Sequence, residues 1–226
     1  MKLSIIIPVL NEAGRIAVAL IALQPLRERG VEILVVDGGS TDGTAEIAKR
    51  GADHVMTAPR GRASQQNAGA QDALGDVFLF LHSDTQLPLD ADTLIDEAIG
   101  KNNAQWGRFD VRFDTNQPLL RVVAMMMNTR SRLTGIATGD QCLFVRRDAF
   151  AAAGGFPAMA LMEDVALSAL LRQQSAPACL RNKVTTSARR WQNGGVWRTI
   201  FLMWWLRTAY ALGVSPARLA RWYGPS

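Results

Sequence analysis

Three uninterrupted runs of apolar, β-favouring residues constrain the fold of this chain more than any other feature. They cover residues 3–9, 33–36 and 77–81, and segments with helical spacing or helix-cap residues separate them. Strands that are apolar on both faces are typical of a parallel sheet covered by helices. The alternation predicts repeated β-α-β units with right-handed crossovers, and hence an α/β, Rossmann-like fold with a mostly parallel sheet flanked by helices.

The second half of the chain changes character at residues 108–114. There Phe109, Val111 and Phe113 alternate with charged residues. A period of two predicts a half-exposed strand, antiparallel and near an edge of the sheet. The remaining patterns predict helices at 92–99, 119–133, 148–153 and 163–173 and short strands at 54–56 and 142–145.

The charge balance indicates an anionic partner. The 226 residues carry a net charge of +5, which suits nucleic acid, an anionic membrane surface or a phosphate-bearing small molecule. No zinc-finger or ribonucleoprotein signature is present, which disfavours nucleic acid. Cys142 and Cys179 stand in no metal or disulfide spacing, and the N-terminus has no secretory pattern, so we expect a cytoplasmic protein.

Acidic residues follow all three apolar runs. Glu12, Asp37 and Asp84 stand at or just past their ends. One such Asp is usually a turn former or a helix cap. Because ligands of parallel α/β sheets bind beyond the carboxyl ends of the strands, three of them predict a ligand site at one rim of the sheet.

Asp84 is the strongest candidate for a metal ligand. A departing diphosphate needs a hard divalent cation, and Mg²⁺ and Mn²⁺ prefer carboxylate oxygen. His82 stands two residues earlier and is a second candidate ligand, with a structural hydrogen bond as the alternative.

Two further groups have both a structural and a functional interpretation. Arg60 and Arg62 precede a predicted helix, where guanidinium groups suit a diphosphate; a solvated basic loop is the alternative. Glu163 and Asp164 open another predicted helix. Helix capping explains them structurally, whereas a carboxylate at this place can also accept the proton of an attacking hydroxyl.

In their order and spacing these segments resemble family-2 glycosyltransferases with the GT-A fold. The resemblance covers residues 3–175, and its first two motifs together are the most specific. The motifs are PVLNE at 8–12, VVDGGSTDGT at 35–44, LHSD at 81–84, GDQ at 139–141 and ED at 163–164. The compact C-terminal half also resembles a small bacterial subgroup linked to arsenosugar-type biosynthesis.

The resemblance implies a nucleoside-diphosphate sugar donor, of the UDP type, and a divalent cation, Mn²⁺ or Mg²⁺. The residues implied to contact the base and ribose are Pro8, Glu12 and Asp37. Arg62 is implied to lie near the base or the diphosphate. Asp84 is implied to be the metal-binding Asp of a D-x-D-type motif. His82 replaces the first acidic residue of that motif, which is a departure from the family pattern.

The acceptor side is also implied by the resemblance. The residues implied to border a hydroxyl acceptor are Gly139, Asp140, Gln141 and Glu163. Asp164 is implied to be the catalytic base of an inverting displacement. A sugar nucleotidyltransferase is a weaker alternative, because residues 8–12 contain no glycine-rich, lysine-bearing phosphate loop. A non-catalytic nucleotide-binding or interaction module is the other alternative.

Residues 189–226 form a Trp/Arg-rich tail after a catalytic domain that spans 1–188. Five of the six tryptophans lie in this tail, and its apolar run at 200–206 is too short to span a bilayer. The mixture predicts a helix in the headgroup region, which would place the protein peripherally at the inner face of the membrane. Packing on the domain and a homodimer interface are the alternatives. Arg198 and Arg207 are half a turn out of phase, which argues against a clean amphipathic stripe.

Overall fold

A computed structural model describes residues 1–224 as eight strands in one sheet with helices on both faces; the last two residues of the predicted tail, 225–226, lie outside the described residues. The strands are β1 (Leu3–Val9), β2 (Glu32–Asp37), β3 (His54–Thr57), β4 (Val77–Phe80), β5 (Thr85–Gln86), β6 (Trp106–Phe113), β7 (Phe144–Arg146) and β8 (Ala178–Thr186). The helices are α1 (Ala13–Glu28), α2 (Thr44–Ala48), α3 (Arg62–Asp72), α4 (Ala91–Asp96), α5 (Pro118–Thr134), α6 (Arg147–Ala152), α7 (Glu163–Gln174), α8 (Arg189–Gly194), α9 (Val196–Ala211) and α10 (Pro216–Tyr223).

The strand order is β3-β2-β1-β4-β7-β6-β8-β5. Strands β3, β2, β1 and β4 are parallel, β7 is antiparallel to both its neighbours, β6 is parallel to β8, and β5 is antiparallel to β8. The predicted α/β architecture with a mostly parallel sheet is confirmed. The three apolar runs become β1, β2 and β4, whose side chains are buried with the exception of the half-buried Pro8.

Alternate side chains of the central strands enter two different cores. Ile5 and Ile7 of β1 pack with Ile16 of α1 on one face of the sheet. On the other face Ile6 joins a second cluster that includes Phe150 of α6. This two-sided burial explains why the runs show no alternation of apolar and polar residues.

The prediction that residues 109–113 form a half-exposed strand near an edge is wrong. Strand β6 lies between β7 and β8, and of its eight residues only Arg112 is exposed. Arg108 and Asp110 are buried because they pair internally: Arg108 is bonded to Asp110, and Arg132 of α5 donates two hydrogen bonds, of 2.7 and 2.6 Å, to the same carboxylate. The period of two therefore reflects an ion-pair network beneath α5 and not a solvated face.

The tail packs on the rest of the molecule along one side. Ala188, Trp191 and Ile200 pack near Phe113 and Leu120, beside the end of β6 and the start of α5. Further along, Leu206, Ala209 and Leu219 form a cluster with Met162, just before α7. Within residues 1–224 no helix is both long and apolar enough to cross a bilayer.

Candidate active site

A cleft of about 920 Å³ opens where β1 and β4 end. Ligands of α/β sheets bind at this position. Six of the predicted site residues line the cleft, namely Pro8, Glu12, Arg62, His82, Asp84 and Glu163. The other five, which are Asp37, Gly139, Asp140, Gln141 and Asp164, are not among the residues that line it.

The loops that follow β1 and β2 are tied together by hydrogen bonds. The Asn11 amide donates to Ser40 Oγ at 2.8 Å, and the Thr41 amide donates to Asn11 Oδ1 at 2.9 Å. The Glu12 amide donates to Thr44 Oγ1 at 2.8 Å. The two most specific motifs of the sequence are thus a single interlocked structure, which places Glu12 on the rim of the cleft.

Asp37 is the least exposed of the predicted nucleotide contacts. It is 4% exposed, and its carboxylate accepts a hydrogen bond from the Ser40 amide at 3.0 Å and another from the Ser40 hydroxyl. Asp37 therefore holds the turn after β2, which is the structural role expected of an Asp at a strand end. Its contact with a nucleotide base stays a prediction.

The start of α3 is anchored to the strand ends by Gln65. Its buried side-chain amide donates to the carbonyl oxygens of Val9 and Val36, at 2.8 and 2.7 Å. Gly61 precedes the helix with φ of +139°, a conformation that favours glycine. The positive end of the α3 dipole is thereby held at the cleft, where it suits an anionic ligand.

Arg62 extends from this helix start into the cleft, solvent-accessible but surrounded by acidic groups. Burial lowers the pKa of its guanidinium, but Glu163, Tyr223 and Asp140 together raise that pKa above its ordinary value. Arg62 therefore stays charged and is positioned between the donor-side rim and the acidic cluster of α7.

Glu12 and Asp84 are like charges on the same rim. Burial raises the pKa of Glu12, the Arg15 guanidinium 2.6 Å away partly offsets this, and Asp84 raises it further. Asp84 itself is exposed in the turn between β4 and β5. A cation at this rim would relieve the repulsion between the two carboxylates. Residues 1–224 contain no cluster of three or more His, Cys, Asp or Glu side chains arranged to hold a metal ion.

A second group of predicted residues meets around Asp164. Its Oδ2 accepts the Gly139 amide at 2.6 Å, and its Oδ1 accepts the Val165 amide at 2.7 Å. His82 packs directly on Gly139: a Cβ added to this glycine would lie 2.5 Å from His82 Cε1. Segments far apart in the chain, the ends of β4 and α5 and the start of α7, are therefore brought together here.

His82 faces this acidic side of the cleft. Its Nδ1 lies 3.8 Å from Asp140 Oδ1. Burial raises the pKa of the Asp140 carboxyl, but the nearby His82 and Arg62 hold it below its ordinary value. Asp140 is therefore the carboxylate nearest to His82 for the structural alternative, although 3.8 Å is longer than a hydrogen bond.

Glu163 and Gln141 differ in their access to the cleft. Glu163 is 6% exposed but lines the cleft, and burial, together with the charge of Asp164, raises the pKa of its carboxyl. Gln141 is fully buried, and its Oε1 accepts the Thr138 amide at 3.3 Å, which stabilises the turn Gly139–Gln141. Gln141 therefore shapes the loop from behind.

The tail supplies a wall of the cleft that the sequence did not predict. Ala220, Tyr223 and Gly224 are among the residues that line it. The Arg190 guanidinium lies 3.6 Å from the centre of the Tyr223 ring, in cation–π geometry. Burial raises the pKa of the Tyr223 phenol, partly offset by Arg190 and Arg62. No local pattern connects Tyr223 with residues 8–12 or 163–164, so only the fold reveals this contact.

Arg130 of α5 is a second residue that the sequence analysis missed. Burial lowers the pKa of its guanidinium, while the charge of nearby Asp164 raises it. Among the described residues, one of its terminal nitrogens is buried without a hydrogen-bond partner. A cation with spare donor capacity therefore lies beside Asp164.

Solved structures of glycosyltransferases share this architecture. S. aureus TarS residues 1–349, in complex with UDP-GlcNAc, matches with a TM-score of 0.68 at 18% identity, over 83% of this chain and 58% of that one. The mannosyltransferase PcManGT of Pyrobaculum calidifontis, with GDP-Man and Mn²⁺, matches with a TM-score of 0.61 at 21% identity, over 81% and 56%. Glucosyl-3-phosphoglycerate synthase of Mycobacterium tuberculosis, with Mn²⁺, UDP and phosphoglyceric acid, matches with a TM-score of 0.57 at 17% identity, over 80% and 69%.

These likenesses confirm the predicted GT-A fold. This chain spans less than two thirds of the length of the first two of these proteins. The sequence model of glycosyl transferase family 2 matches residues 4–154, which is more than half of the 226 residues. The match includes the interlocked loops after β1 and β2, the donor-side rim and the Gly139–Gln141 turn, and it ends before Glu163 and the tail. The chain therefore belongs to glycosyl transferase family 2.

Proposed function

We propose that this protein transfers a sugar from a nucleoside-diphosphate sugar to an acceptor hydroxyl, with inversion at the anomeric carbon. One observation carries the proposal. A single cleft has a cationic group and a helix N-terminus at its donor rim, and the carboxylate of Asp164, held by two backbone amides, lies next to the cleft-lining Glu163 and within reach of the Arg62 charge. A glycosyl transfer needs these two features on either side of the reacting carbon.

The donor binds between the rim after β1 and the start of α3. Arg62 and the amides of the first turn of α3 bind the diphosphate, since both favour negative charge. Pro8 and Glu12 form the wall against which the nucleoside lies. The UDP-GlcNAc, GDP-Man and UDP of the structural neighbours support this class of donor, and the UDP type stays our prediction.

The residues of the rim fit a divalent cation that arrives with the nucleotide. Magnesium sites of this kind use one or two carboxylates and complete their coordination with phosphate oxygens and water, so a cluster of three protein ligands is not needed. Asp84 would hold the cation, and the Mn²⁺ and Mg²⁺ bound by neighbours support this. When bound, the cation neutralises charge on the departing diphosphate. His82 is the weaker candidate ligand of the cation, because its ring faces Asp140.

Asp164 is the proposed base. Two backbone amides fix its carboxylate, one on each oxygen, and each oxygen keeps a lone pair for a further proton donor. The acceptor oxygen attacks the anomeric carbon, the bond from that carbon to the diphosphate breaks, and the hydroxyl proton passes to Asp164. Gly139, Asp140 and Glu163 border the acceptor, and Arg62 stabilises the departing diphosphate.

Thermal unfolding with a panel of nucleoside diphosphates, with and without Mn²⁺, tests the donor site. A ligand at 100 times its Kd adds about 2.7 kcal/mol to the stability of the folded protein. We expect one diphosphate to stabilise the wild type only with Mn²⁺, and Asp84→Ala to lose this effect. Asp90→Ala, in the next exposed turn, is the matched control. If no diphosphate stabilises the wild type under either condition, the donor site is wrong.

The two alternative functions differ from the proposed one in the products that they would release. A sugar nucleotidyltransferase would release pyrophosphate from a nucleoside triphosphate and a sugar phosphate, whereas this enzyme would release a nucleoside diphosphate from the sugar nucleotide. A non-catalytic binding module would show the thermal shift without any turnover. The resemblance to the arsenosugar-linked subgroup stays a prediction about the acceptor.

A further inference from the structure

The positive charge of this protein is concentrated in its tail. Residues 189–226 contain six arginines and no aspartate or glutamate, whereas the whole chain has a net charge of only +5. Residues 1–188 therefore carry a net charge of −1. The excess of positive charge, which indicated an anionic partner, therefore belongs to the tail and not to residues 1–188.

The tail also carries a contiguous set of exposed aromatic side chains. In α9, Trp197, Phe201, Trp204 and Trp205 are 63%, 63%, 58% and 60% exposed. Their spacing of i, i+4, i+7 and i+8 places them on one face of the helix. Trp222 of α10, 43% exposed, extends the set, since its ring centre lies 6.0 Å from that of Trp205. We call these five side chains the aromatic face.

The arginines of α9 flank this face. Arg198 and Arg207 are nine residues apart, hence about half a turn out of phase at about 100° per residue. Because the aromatic residues occupy the sector between them, each arginine lies beyond one edge of the stripe. In the sequence, the half-turn between the two arginines argued against an amphipathic stripe. In the helix, the same half-turn places one arginine on each border of the stripe.

The opposite side of the tail is already used for packing. Leu206 and Leu219 are fully buried, and Ala209 is 4% exposed, in the cluster around Met162. Helices α9 and α10 thus have a buried side that holds them on the molecule and an aromatic side that faces away from it. Packing on the domain accounts for the first side only, and soluble monomers seldom expose apolar patches of this kind without an interaction.

We infer that the aromatic face docks on the surface of a bilayer that contains anionic lipids. Tryptophan rings are favoured at the headgroup level, and arginines on either border pair with lipid phosphates. A second copy of the chain is the poorer occupant, because a symmetric contact would bring two arginine-bordered surfaces without acidic residues against each other.

Docking would also place the cleft near the lipid. Trp222 of the aromatic face and Tyr223 of the cleft wall are adjacent in α10. A bilayer bound to the aromatic face therefore lies beside the wall that the tail contributes to the cleft. The docking inference itself rests on the tail alone and is independent of the proposed reaction.

Vesicle sedimentation with the full chain tests the inference. The probes are vesicles of phosphatidylcholine alone and of phosphatidylcholine mixed with phosphatidylglycerol. We expect the wild type to sediment with the mixed vesicles at low salt and to be released as salt is raised. The double variant Trp204→Glu/Trp205→Glu should lose this binding. Leu133→Glu, at an 82% exposed position of α5, is the matched control and should bind like the wild type.

The charge requirement has its own variant. Each basic residue near an anionic surface contributes about fivefold to binding, so Arg198→Gln/Arg207→Gln should bind about 25-fold more weakly. Thermal unfolding of each variant checks that it is folded, and the shift with a nucleoside diphosphate, measured in the same samples, reports the donor site separately.

Three outcomes would overturn the inference. The wild type does not sediment with mixed vesicles at low salt; or Leu133→Glu loses binding as much as Trp204→Glu/Trp205→Glu does; or the wild type forms a dimer in solution that this double variant abolishes, which would show that a second copy covers the face. If a nucleoside diphosphate still raises the thermal stability of the protein, any of these three results leaves the proposed transferase function intact.

Discussion

The two sides of the cleft are built in different ways. The donor rim comes from segments of the first 84 residues, and its two loops are interlocked by hydrogen bonds from backbone amides of one loop to side chains of the other. The acceptor side is assembled from separate parts of the chain, namely His82, Gly139, Asp164 and the tail residues Arg190 and Tyr223. Two recognisable sequence motifs meet to form the first side, whereas the second draws on five separate places in the chain. Changes on the acceptor side should therefore impair transfer and leave nucleotide binding intact.

The largest effect is expected for Asp164→Asn. The amide keeps the shape of the side chain but does not accept the acceptor proton, so turnover should fall by about 10²–10⁴-fold. Steady-state kinetics with the sugar nucleotide measure this, and Asp72→Asn, at an exposed position of α3, is the control. Turnover within about twofold of the wild type would remove Asp164 from the mechanism.

A smaller loss is expected for Gly139→Ala. The new methyl group would lie 2.5 Å from His82 Cε1 and 3.6 Å from Asp164 Oδ2, so the ring must move and the base loses its position. A displacement of about 1 Å at a reacting group costs about 10²-fold in rate. Gly14→Ala, where nothing lies within 4 Å of the added methyl, is the matched control. If kcat is unchanged while the Kd of the nucleotide rises, Gly139 belongs to the donor side.

The tail wall is tested by Tyr223→Ala. Removing the ring opens the cleft wall and frees Arg190, so the KM for the acceptor should rise by about tenfold with little change in the Kd of the nucleotide. Trp222→Ala, the neighbouring residue on the aromatic face, should leave both constants unchanged in the absence of vesicles. Equal effects of the two variants would mean that the tail acts only through stability.

The smallest effect concerns the pH dependence of stability. The pKa of Glu163 is raised above 4.5 in the folded protein, so its contribution to stability is present below that value and is lost as pH rises through the folded pKa. Relative to wild type, Glu163→Gln should therefore become more stable as pH rises from 4.5 towards 8. Thermal unfolding of both proteins across this range gives the difference. A difference that shrinks with rising pH would mean that Arg62 stabilises the charged form more than burial opposes it.

The donor side was predictable from sequence because its signals are local. An apolar run followed by an acidic residue marks a buried strand and its end, and β1, β2 and β4 begin and end within a residue of their predicted bounds. The rim position of Glu12 and Asp84 follows from the sheet rule alone. The sequence pattern does not show which hydrogen bonds a side chain makes. The Asp37 carboxylate, for example, accepts a hydrogen bond from Ser40.

The acceptor side was predictable only in part because its contacts leave no signal in the sequence pattern. Asp164 was found as a carboxylate at a helix start, but nothing in either segment indicates that it binds the Gly139 amide. Strand β8 was missed because its exposed, irregular sequence pairs with β6 across a bulge and shows no period. The burial of β6 was missed because charges that pair with each other look, in sequence, like charges that face water.

The most direct test of the two-sided cleft is a calorimetric titration of the stabilising nucleoside diphosphate, with Mn²⁺, into the wild type, Asp84→Ala and Asp164→Asn. The account predicts that Asp164→Asn binds within about twofold of the wild type although it has lost turnover, and that Asp84→Ala loses the Mn²⁺-dependent part of binding. If Asp164→Asn binds the nucleotide as poorly as Asp84→Ala does, the two carboxylates serve one site, and the division of the cleft into a donor and an acceptor side is wrong.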